Sequence, residues 1–494
     1  MAERPHLAVV GAGPAGLAAA LAAAARGVRV TLLDAAEQAG GQFYRRPAAA
    51  LGARGPQALH HQWRVWERLR DGLDRQLSTG QVRHLPDHHV WCVDRTDRRD
   101  RTDGTDGTDG TDHPVDTGVN RGGAPGGVFA VHALRGPLQE EGVTVRADAV
   151  LLATGGYERV LPFPGWTLPG VVTAGGAQAM LKGGLVLPGR TVVVAGTGPL
   201  LLPVACGLAA AGARVAALVE SAGPKALPRH ARALAAQPGK LAEGALYAGK
   251  LLRHGVRPLT RHTVVEAHGT DRLTAVTVAA LDRDGGLVPG SARRIPCDAL
   301  AVGHGMLPHT DLAETLGCAL SGTDVRVDDE QRTDVPGVWA AGEATGIGGA
   351  ALALAEGHIA GRSVAARLHG TLPDPRRWAG AARARGRLRE FSAALDALYA
   401  PPAGWADRIT DGTVVCRCEE VTAGQVRTSV DVLGAGDPRT VKLLTRAGMG
   451  WCQGRMCGPA VAGLSGCPAT PGRRPFARPV PLGVLARLPE DEPG

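Results

Sequence analysis

Short apolar runs alternate with glycine-rich turns and alanine-rich helical stretches along most of the chain. Residues 6–10 are apolar and predict a buried strand, and residues 11–25 form a glycine-rich turn that opens an alanine-rich helix. Residues 28–34 are apolar again until they end in an acidic residue, as a second strand does. This order of strand, glycine turn, helix and strand predicts a βαβ unit with parallel strands.

A second unit of the same kind begins about 185 residues later. Residues 191–195 predict a strand, a glycine turn and an apolar helix come next, and a further strand ends at Glu220. The repetition predicts an α/β fold with two Rossmann-like dinucleotide-binding domains. Apolar runs at 298–302 and 338–341 predict strands that return to the first domain. The second domain is therefore expected to be inserted in the first.

The same patterns set the expected domain boundaries. A proline- and glycine-rich crossing separates the two dinucleotide-binding domains, and a connector rich in arginine, alanine and proline precedes a small helical domain with four cysteines. The predicted segments are 1–165 and 297–370 for the first domain, 166–296 for the second, 371–410 for the connector, 411–467 for the cysteine domain, and 468–494 for a proline-rich, extended tail.

Residues 89–94 and 128–134 predict the two strands of a hairpin. Its tip, residues 95–126, repeats Thr-Asp-Gly and contains almost no apolar side chains. Such a segment gains too little from burial to offset the entropy lost on ordering. We therefore predict that residues 95–126 form a disordered insert.

Composition excludes some classes of protein. Of the 494 residues, 21% are charged and 44% hydrophobic, which excludes a wholly disordered chain. The net charge is +8, but the arginines are scattered. The densest run, residues 376–389, is interpreted as a solvated helix face, so no nucleic-acid partner is expected.

The longest apolar stretch, 200–219, contains Pro203 and Arg214 and predicts no transmembrane segment. Nine cysteines and no targeting signal predict a cytoplasmic setting, which leaves peripheral attachment to a membrane open.

The first glycine turn carries the spacing of a dinucleotide fingerprint. Gly11 permits the tight turn, Gly13 lets the backbone approach a pyrophosphate, and Gly16 lets the helix lie close to the strand. Pro14 and Ala15 complete the loop at the start of the helix. Free N–H groups at a helix N-terminus attract phosphates. The loop therefore predicts a site for FAD or NAD.

Two later groups of residues favour FAD at this site: those that follow the second strand and those that end a late strand. Asp34 ends the second strand, where its carboxylate can accept hydrogen bonds from a ribose. Gly41 and Gln42 follow it and could bring backbone against a flavin. Gly342 and Glu343 end a late strand just before a helix, so the carboxylate could accept hydrogen bonds from ribityl hydroxyls.

The second glycine turn resembles an NAD site with one departure. Gly196, Gly198 and Pro199 follow a strand, and Glu220 would favour a free ribose 2′-hydroxyl over a phosphate. Leu201 replaces the third glycine, which prevents the closest packing of helix on strand. The sequence therefore leaves two alternatives open: a site for NAD(H) or another adenine nucleotide, or a structural remnant.

Four cysteines near the C-terminus predict a metal centre. Cys416 and Cys418 form one pair, and Cys452 and Cys457 form a second among several glycines. Four thiolates complete either a tetrahedral zinc site or a [2Fe–2S] cluster, and the spacing alone leaves both open. Cys467 is not expected to be a ligand.

The other cysteines contain no Cys-x-x-Cys pair, which argues against disulfide-reductase chemistry. We expect them to be small buried hydrophobic residues: Cys92, Cys206, Cys297 and Cys318. No acid–base constellation is evident, so the catalytic residues are unknown. His304 and His309 are the nearest candidates, and each is more typical of a hydrogen-bonded loop histidine.

These motifs together carry a family resemblance. Residues 415–464 resemble the [2Fe–2S] domain of the bacterioferritin-associated ferredoxin (BFD) type, in the version fused to amine-oxidising flavoprotein subunits, which implies [2Fe–2S] rather than zinc. With the two glycine loops, the linker at 164–171 and the late glycine–acid pair, the resemblance covers most of 6–464. The chain resembles the α (or A/B) subunits of heteromeric amino-acid dehydrogenases: opine oxidases, hydrogen cyanide synthase, dye-linked proline or hydroxyproline dehydrogenases, and heterotetrameric sarcosine oxidase. Thr154 and Gly155 match that family's Ala-Thr-Gly strand end, and Glu343 stands where the family has Asp.

The resemblance implies a FAD-dependent oxidoreductase. Its expected role is that of an electron-transfer subunit that serves a FAD-containing, amine-oxidase-type β subunit, which would oxidise opines, proline, hydroxyproline or glycine. Electrons would pass through FAD and the cluster to a quinone or a redox protein. Two alternatives stay open: a stand-alone NADH-dependent flavin and iron–sulfur reductase, and a non-catalytic nucleotide-binding scaffold.

Overall fold

The computed structural model describes residues 4–60, 62–97, 127–136, 138–223, 227–467 and 474–487. The elements that precede the crossing between the first two domains are β1 (His6–Val10), α1 (Pro14–Ala24), β2 (Arg29–Leu33), α2 (Trp63–Ser78), β3 (Val82–Leu85), β4 (His88–Asp97), β5 (Gly127–Arg135), β6 (Glu141–Ala147), β7 (Ala149–Leu152) and β8 (Gly156–Glu158).

The second domain follows the crossing. Its elements are β9 (Val171–Thr173), α3 (Ala174–Gly184), β10 (Thr191–Gly196), α4 (Leu201–Ala210), β11 (Arg214–Glu220), α5 (Leu227–Ala235), α6 (Pro238–Arg253), β12 (Pro258–Thr260), β13 (His262–His268), β14 (Ala275–Ala280), β15 (Arg293–Pro296) and β16 (Ala299–Gly303).

The chain then returns to the first domain and ends in the cysteine domain. The elements are β17 (Met306–Pro308), α7 (Asp311–Thr315), β18 (Leu320–Ser321), β19 (Asp324–Val325), β20 (Val338–Ala340), α8 (Gly349–Leu368), the connector helix α9 (Ala379–Leu398), β21 (Val414–Cys416), β22 (Val421–Thr422), α10 (Ala423–Asp431), α11 (Pro438–Thr445), α12 (Gly458–Ser465) and α13 (Leu482–Leu485).

Each dinucleotide-binding domain contains a five-stranded parallel sheet. The strand orders are β20-β7-β1-β2-β3 in the first domain and β12-β11-β10-β16-β9 in the second. Central strands such as β7 are apolar throughout because both faces of a parallel sheet are covered. Alanine-rich α1 packs against α8 over one face of the first sheet, and small side chains let the two helices lie close together. Both glycine loops follow the carboxyl end of a central strand, where α/β folds bind ligands.

Antiparallel units are added to these sheets, among them the short pairs β8–β17 and β18–β19. β4, β5 and β6 form one, whose β4–β5 hairpin agrees with the sequence prediction, and β13, β14 and β15 form another. The short pair β21–β22 carries the first cysteines. Residues 95–97 of the predicted insert lie in β4, and residues 98–126 are outside the described part of the chain.

The structure corrects three sequence expectations. The strand expected at 298–302 does not return to the first domain; it forms β16 between β10 and β9, because an apolar strand fits either parallel sheet equally well. The tail is not simply extended: residues 474–487 contain α13, and Phe476 packs edge-on against Trp91 of β4. Among the arginines expected on a solvated face, Arg389 instead pairs with Glu356, which is fully buried.

No helix in the described ranges is long and apolar enough to cross a bilayer.

Candidate functional site

The first glycine loop has the backbone geometry that its spacing predicts. Gly11 has a φ of +105°, and a Cβ atom there would collide with the carbonyl oxygen of Ala153 at the end of β7. A Cβ atom on Gly16 would collide with the carbonyl oxygen of Gly11. By contrast, the nearest atom to a Cβ on Gly13 would be Cα of Gly41, at 4.0 Å. The loop therefore packs tightly behind Gly11 and Gly16 and leaves an open cradle before Gly13.

Asp34 closes the side of this cradle at the end of β2. Its carboxylate accepts hydrogen bonds from the backbone N–H of Ala12 and from that of Ala36 at 2.7 Å. Burial raises the pKa of this carboxyl, and the two backbone donors oppose the rise. Gly41 lies across the cradle from Gly13, and its neighbour Gln42 accepts a hydrogen bond from Arg45 Nε at 3.0 Å.

The cradle fits a pyrophosphate. Gly13 is the N-cap of α1 without a side-chain cap, and Pro14 occupies the first turn, where its lack of an N–H costs nothing. The first turn contains no acidic residue that would compete with a phosphate. Ala15 lies at the contact with the late motif, since a Cβ on Gly342 would stand 2.8 Å from Ala15 Cβ. The structure thus brings the early and late parts of the predicted FAD site together.

The late motif is held by two residues that the sequence analysis did not identify. Glu356 of α8 accepts hydrogen bonds at Oε2 from Gly342 N (2.9 Å) and Thr345 Oγ1 (3.0 Å). Its other oxygen accepts from Arg389 Nε (2.9 Å) and Nη2 (2.6 Å). Glu343 itself is partly buried, and burial raises the pKa of its carboxyl. Arg389 belongs to α9, so the connector anchors the late motif.

Thr154 and Gly155 lie beyond the end of β7. Thr154 Oγ1 donates to the carbonyl oxygen of His309 at 2.6 Å, and the N–H of His309 donates to Gly155 O at 2.9 Å. The strand end is therefore fixed by the segment after β17. His309, a histidine without an assigned role in the sequence, also pairs with Asp311 at 3.1 Å.

The second glycine loop repeats the tight turn of the first but differs at its second glycine. A Cβ on Gly196 would collide with the carbonyl oxygen of Gly303, as one on Gly11 would with that of Ala153. Gly198 has a φ of +114°, whereas Gly13 has a φ of −73°. Glu220 accepts hydrogen bonds from Gly198 N at 3.0 Å and Ala222 N at 2.9 Å. Burial raises the pKa of Glu220 to about 7.

Leu201, which stands in place of the third glycine, is accommodated in the apolar core. Its side chain is only 2% exposed and belongs to the core between the second sheet and its helices. Pro199 precedes it in the loop, and α4 begins at Leu201 rather than closer to the strand. The loop therefore remains intact without the third glycine.

The connector passes beside this second loop. A Cβ on Gly198 would lie 4.0 Å from Cβ of Tyr399, the same distance as that from a Cβ on Gly13 to Gly41 Cα in the first loop. Burial first, and then the carboxylate of Glu220, raise the pKa of Tyr399. Arg408 anchors the chain after Tyr399, since its Nη2 donates to Ala403 O at 2.7 Å and to Gly285 O at 2.6 Å. Tyr399 is thus a neighbour of the glycine that a pyrophosphate would approach.

His304 follows β16 behind the same loop. It is buried and lies 3.2 Å from Thr197 Oγ1 through Nδ1. Burial, with the charges of Arg159 and Arg408, lowers the pKa of His304 to about 4. A neutral, enclosed imidazole of this kind fits a structural role.

The four C-terminal cysteines meet as two pairs. Cys418 Sγ lies 4.0 Å from Cys452 Sγ, and burial and the neighbouring Cys416 thiol raise the pKa of Cys457. Among the described residues, no three histidine, cysteine or acidic side chains form a group able to hold one metal ion.

The distance between the cysteine thiols fits both kinds of metal centre. Thiolates around one tetrahedral zinc ion are about 3.8 Å apart, given Zn–S bonds of about 2.3 Å. The 4.0 Å between Cys418 Sγ and Cys452 Sγ is close to that value, and two thiolates on one iron of a cluster also lie close together. The donor set therefore fits a [2Fe–2S] cluster as well as a single zinc ion.

The surrounding scaffold places the cysteines beside a capped helix. Thr422 and Gln425 form a capping box, so α10 starts just after the first cysteine pair. Cys467 lies apart from the four, with its thiol 3.1 Å from Gly436 O. The remaining cysteines are free, buried and far apart in the fold's cores: Cys92, Cys206, Cys297 and Cys318.

The cysteine domain packs directly on the second domain. Trp166 Nε1 donates to Val414 O at 2.6 Å, and the guanidinium of Arg417 lies 5.5 Å from the centre of the Trp166 ring. Met456 packs against the same apolar core as Trp166. The sequence showed the linker around Trp166 but not its partner, which lies 248 residues away.

Comparison with known proteins agrees with this architecture. The chain matches the family model of pyridine nucleotide-disulphide oxidoreductases over residues 5–357 and that of the BFD-like [2Fe-2S] binding domain over residues 414–464. It is 34% identical over 459 residues to the HcnB subunit of hydrogen cyanide synthase from Pseudomonas protegens, covering 91% of this chain and 89% of that protein. It is 31% identical over 513 residues to an opine oxidase subunit of Rhizobium meliloti, covering 97% and 87%.

A solved structure shares the fold. L-proline dehydrogenase from P. horikoshii superposes with a TM-score of 0.63 at 20% identity, covering 99% of this chain and 81% of that one. The two family matches identify FAD and a [2Fe–2S] cluster as the cofactors. The chain therefore belongs to the pyridine nucleotide-disulphide oxidoreductase family, as a FAD-dependent oxidoreductase subunit with a C-terminal BFD-like [2Fe–2S] domain.

Proposed function

We propose that this chain is the electron-transfer subunit of a heteromeric dehydrogenase that oxidises the C–N bond of an amino acid or amine. The relatives named above are subunits of hydrogen cyanide synthase and opine oxidase, and a proline dehydrogenase shares the fold. They support a substrate of the opine, proline, hydroxyproline or glycine class. A FAD-containing, amine-oxidase-type β subunit would bind that substrate, and a quinone or redox protein would accept the electrons.

Each cofactor site has its own residues in this proposal. When bound, FAD takes up electrons in pairs and the cluster carries them singly. The cluster ligands are Cys416, Cys418, Cys452 and Cys457. The FAD site comprises Gly11, Gly13, Pro14, Ala15, Gly16, Asp34, Gly41, Gln42, Thr154, Gly155, Gly342 and Glu343.

The place of Tyr399 beside Gly198 supports the choice between electron donors. A stand-alone reductase needs NADH to enter the second loop, and in this proposal the Tyr399 side chain hinders its pyrophosphate there. The cysteine domain also packs on the second domain at Trp166. Both contacts favour delivery of electrons by a partner subunit over hydride transfer from NADH.

One observation favours a second candidate role for the second loop, which is to bind a nucleotide without transferring hydride. Gly196, Gly198, Pro199 and Glu220 keep the geometry of an adenine-nucleotide site, and the Glu220 carboxylate is held by two backbone donors. A nucleotide that displaced Tyr399 would be bound there without contributing hydride. This alternative predicts nucleotide binding without reduction.

An anaerobic absorption spectrum of the isolated chain tests the proposal. Flavin and iron–sulfur bands should be present and should persist when NADH is added. They should bleach when the amino acid is supplied together with the partner subunit. Rapid bleaching by NADH alone would overturn the proposal in favour of the reductase.

A pair of variants tests the reason for that result. Tyr399→Gly removes the whole side chain, including the Cβ beside Gly198, and should allow NADH to bind more tightly, measured by calorimetry. Adding Glu220→Gln should reverse the gain, because it replaces one of the two carboxylate acceptors with a donor NH2 group. Equal NADH affinity in the wild-type chain and Tyr399→Gly would show that Tyr399 does not hinder the site.

A further inference from the structure

Asp311 joins two parts of the molecule that carry different cofactor sites. It is the first residue of α7, and its side chain is 13% exposed. Its Oδ2 accepts from Arg455 Nε at 2.8 Å and from His309 Nε2 at 3.1 Å, and its Oδ1 accepts from Arg474 Nη1 at 2.7 Å. Burial alone would raise its pKa, but the hydrogen bond from His309 and the charges of both arginines hold that pKa at about 2. The carboxylate is therefore a permanent anion between three basic groups.

On one side, Asp311 holds the loop between two of the cysteines. Arg455 lies between Cys452 and Cys457, and its Nη2 donates to Ala477 O at 2.6 Å. These two bonds tie its guanidinium to groups outside the loop. Arg474, which also pairs with Asp311, lies beside the same loop, because its Nη2 would be 3.9 Å from a Cβ on Gly454.

On the other side, Asp311 is tied to the first dinucleotide site. His309, two residues earlier, accepts from Thr154 Oγ1 and donates to Gly155 O, so it is bound to the strand end on both sides. The preceding strand β17 pairs with β8, which continues from the same strand end. A short and well-bonded path therefore connects Thr154–Gly155 to the cysteine loop through Asp311.

We infer that Asp311 is a positioning residue that fixes the cysteine loop 452–457 against the strand end Thr154–Gly155, so that the two cofactor sites keep a constant separation. The functional meaning of that separation rests on the proposed electron transfer. The positioning itself is a property of the fold. A salt bridge that only stabilises the chain would leave the cluster environment and the loop unchanged when it is removed.

The test compares three variants of the full, cofactor-loaded chain. Asp311→Asn keeps the shape of the side chain and leaves Arg455 and Arg474 without a counter-charge. Arg455→Gln removes the same contact from the loop side, and it serves if Asp311→Asn does not fold. Glu330→Gln is the matched control, because Glu330 pairs with Arg367 at 2.9 Å, partly buried, away from the cysteine loop.

Two measurements report on the loop. The electron paramagnetic resonance spectrum of the reduced cluster should change in Asp311→Asn and in Arg455→Gln but not in Glu330→Gln. Trypsin cleavage after Arg455, located by mass spectrometry, should accelerate by roughly tenfold or more in Asp311→Asn, as loss of a charge-assisted hydrogen bond implies. The control should cleave there at the wild-type rate.

An unchanged spectrum with unchanged cleavage in Asp311→Asn would overturn the inference. Equal changes in Asp311→Asn and Glu330→Gln would also overturn it, because they would reflect general destabilisation. Failure of the proposed function is a separate result: the wild-type cluster would stay oxidised when the amino acid is added together with the partner subunit. The spectrum and the cleavage rate of Asp311→Asn do not depend on that outcome.

Discussion

The buried pair of Glu356 and Arg389 offers a quantitative test of how the connector supports the FAD site. Glu356 is fully buried, and four donor groups share its two carboxylate oxygens. Glu356→Gln keeps the size of the side chain but replaces one acceptor oxygen with a donor NH2 group. Whichever way the amide turns, it faces either Gly342 and Thr345 or the guanidinium of Arg389 with a donor. Two donors therefore lose their acceptor.

The expected magnitude follows from burial. Removing one partner of a buried ion pair costs about 3–5 kcal/mol of the free energy of unfolding. The Arg389 side chain is 32% exposed, so water can reach the stranded charge and the loss should lie near about 3 kcal/mol. Because Gly342 belongs to the predicted FAD site, we also expect FAD to bind at least about tenfold more weakly.

Asp329→Asn is the matched control. Asp329 pairs with Arg385 of the same connector helix at 2.6 Å, but its side chain is 99% exposed. Exposed pairs contribute under about 1 kcal/mol. The control should therefore unfold at nearly the wild-type urea concentration and retain FAD.

The assay is urea unfolding followed by flavin release, with FAD affinity measured separately by titration of the apoprotein. A double variant checks the reasoning. Glu356→Gln combined with Arg389→Met removes the stranded charge, so it should lose less stability than Glu356→Gln alone. A double variant that is less stable than the single one would refute the argument that an unpaired charge causes the loss.

Three further outcomes follow from the same geometry. Gly16→Ala should abolish flavin binding, measured as flavin absorbance per chain, whereas Gly239→Ala, where a Cβ meets no atom within 4 Å, should leave it unchanged. Burial holds His304 neutral with a pKa of about 4, below its value of about 6.5 in the unfolded chain. The free energy of unfolding should therefore be full above pH 6.5 and fall by up to about 3 kcal/mol as the pH drops towards 4. His304→Gln should remove that slope from the pH dependence of the urea midpoint, and a slope that persists would contradict the assignment. Cys416→Ser should lose the cluster iron while Cys467→Ser keeps it, and iron loss in both would put Cys467 among the ligands.

The sequence predicts the glycine loops because their geometry is local. A strand, a glycine with positive φ and a helix lie within about a dozen residues, and the collision at Gly16 involves the carbonyl oxygen of Gly11 in the same loop. The collision at Gly11 involves Ala153 at the end of β7, so only the fold reveals it. The four cysteines can also be predicted from the sequence, because two closely spaced cysteine pairs in a glycine-rich segment are typical of metal centres. Four thiolates alone allow an iron–sulfur cluster or zinc, and the match to the BFD-like [2Fe-2S] domain decides for the cluster.

Contacts between distant segments could not be predicted. Arg389 and Glu356 are 33 residues apart on different helices, and Arg455 and Asp311 are 144 apart. Nothing in an arginine-rich helical segment distinguishes an arginine that faces water from one that meets a buried carboxylate. The strand β16 shows the same limit, because an apolar strand specifies burial but not which of two parallel sheets it joins.

The connector helix α9 relates the two nucleotide loops to each other. Near its middle, Arg389 holds Glu356 and through it Gly342, which favours an ordered first site. At its end, Tyr399 lies beside Gly198 of the second loop, where in our proposal it hinders a ligand. A movement of α9 that exposed Gly198 would also pull Arg389 away from Glu356. Occupation of the second loop should therefore weaken FAD binding, and by reciprocity bound FAD should weaken nucleotide binding at the second loop by the same factor.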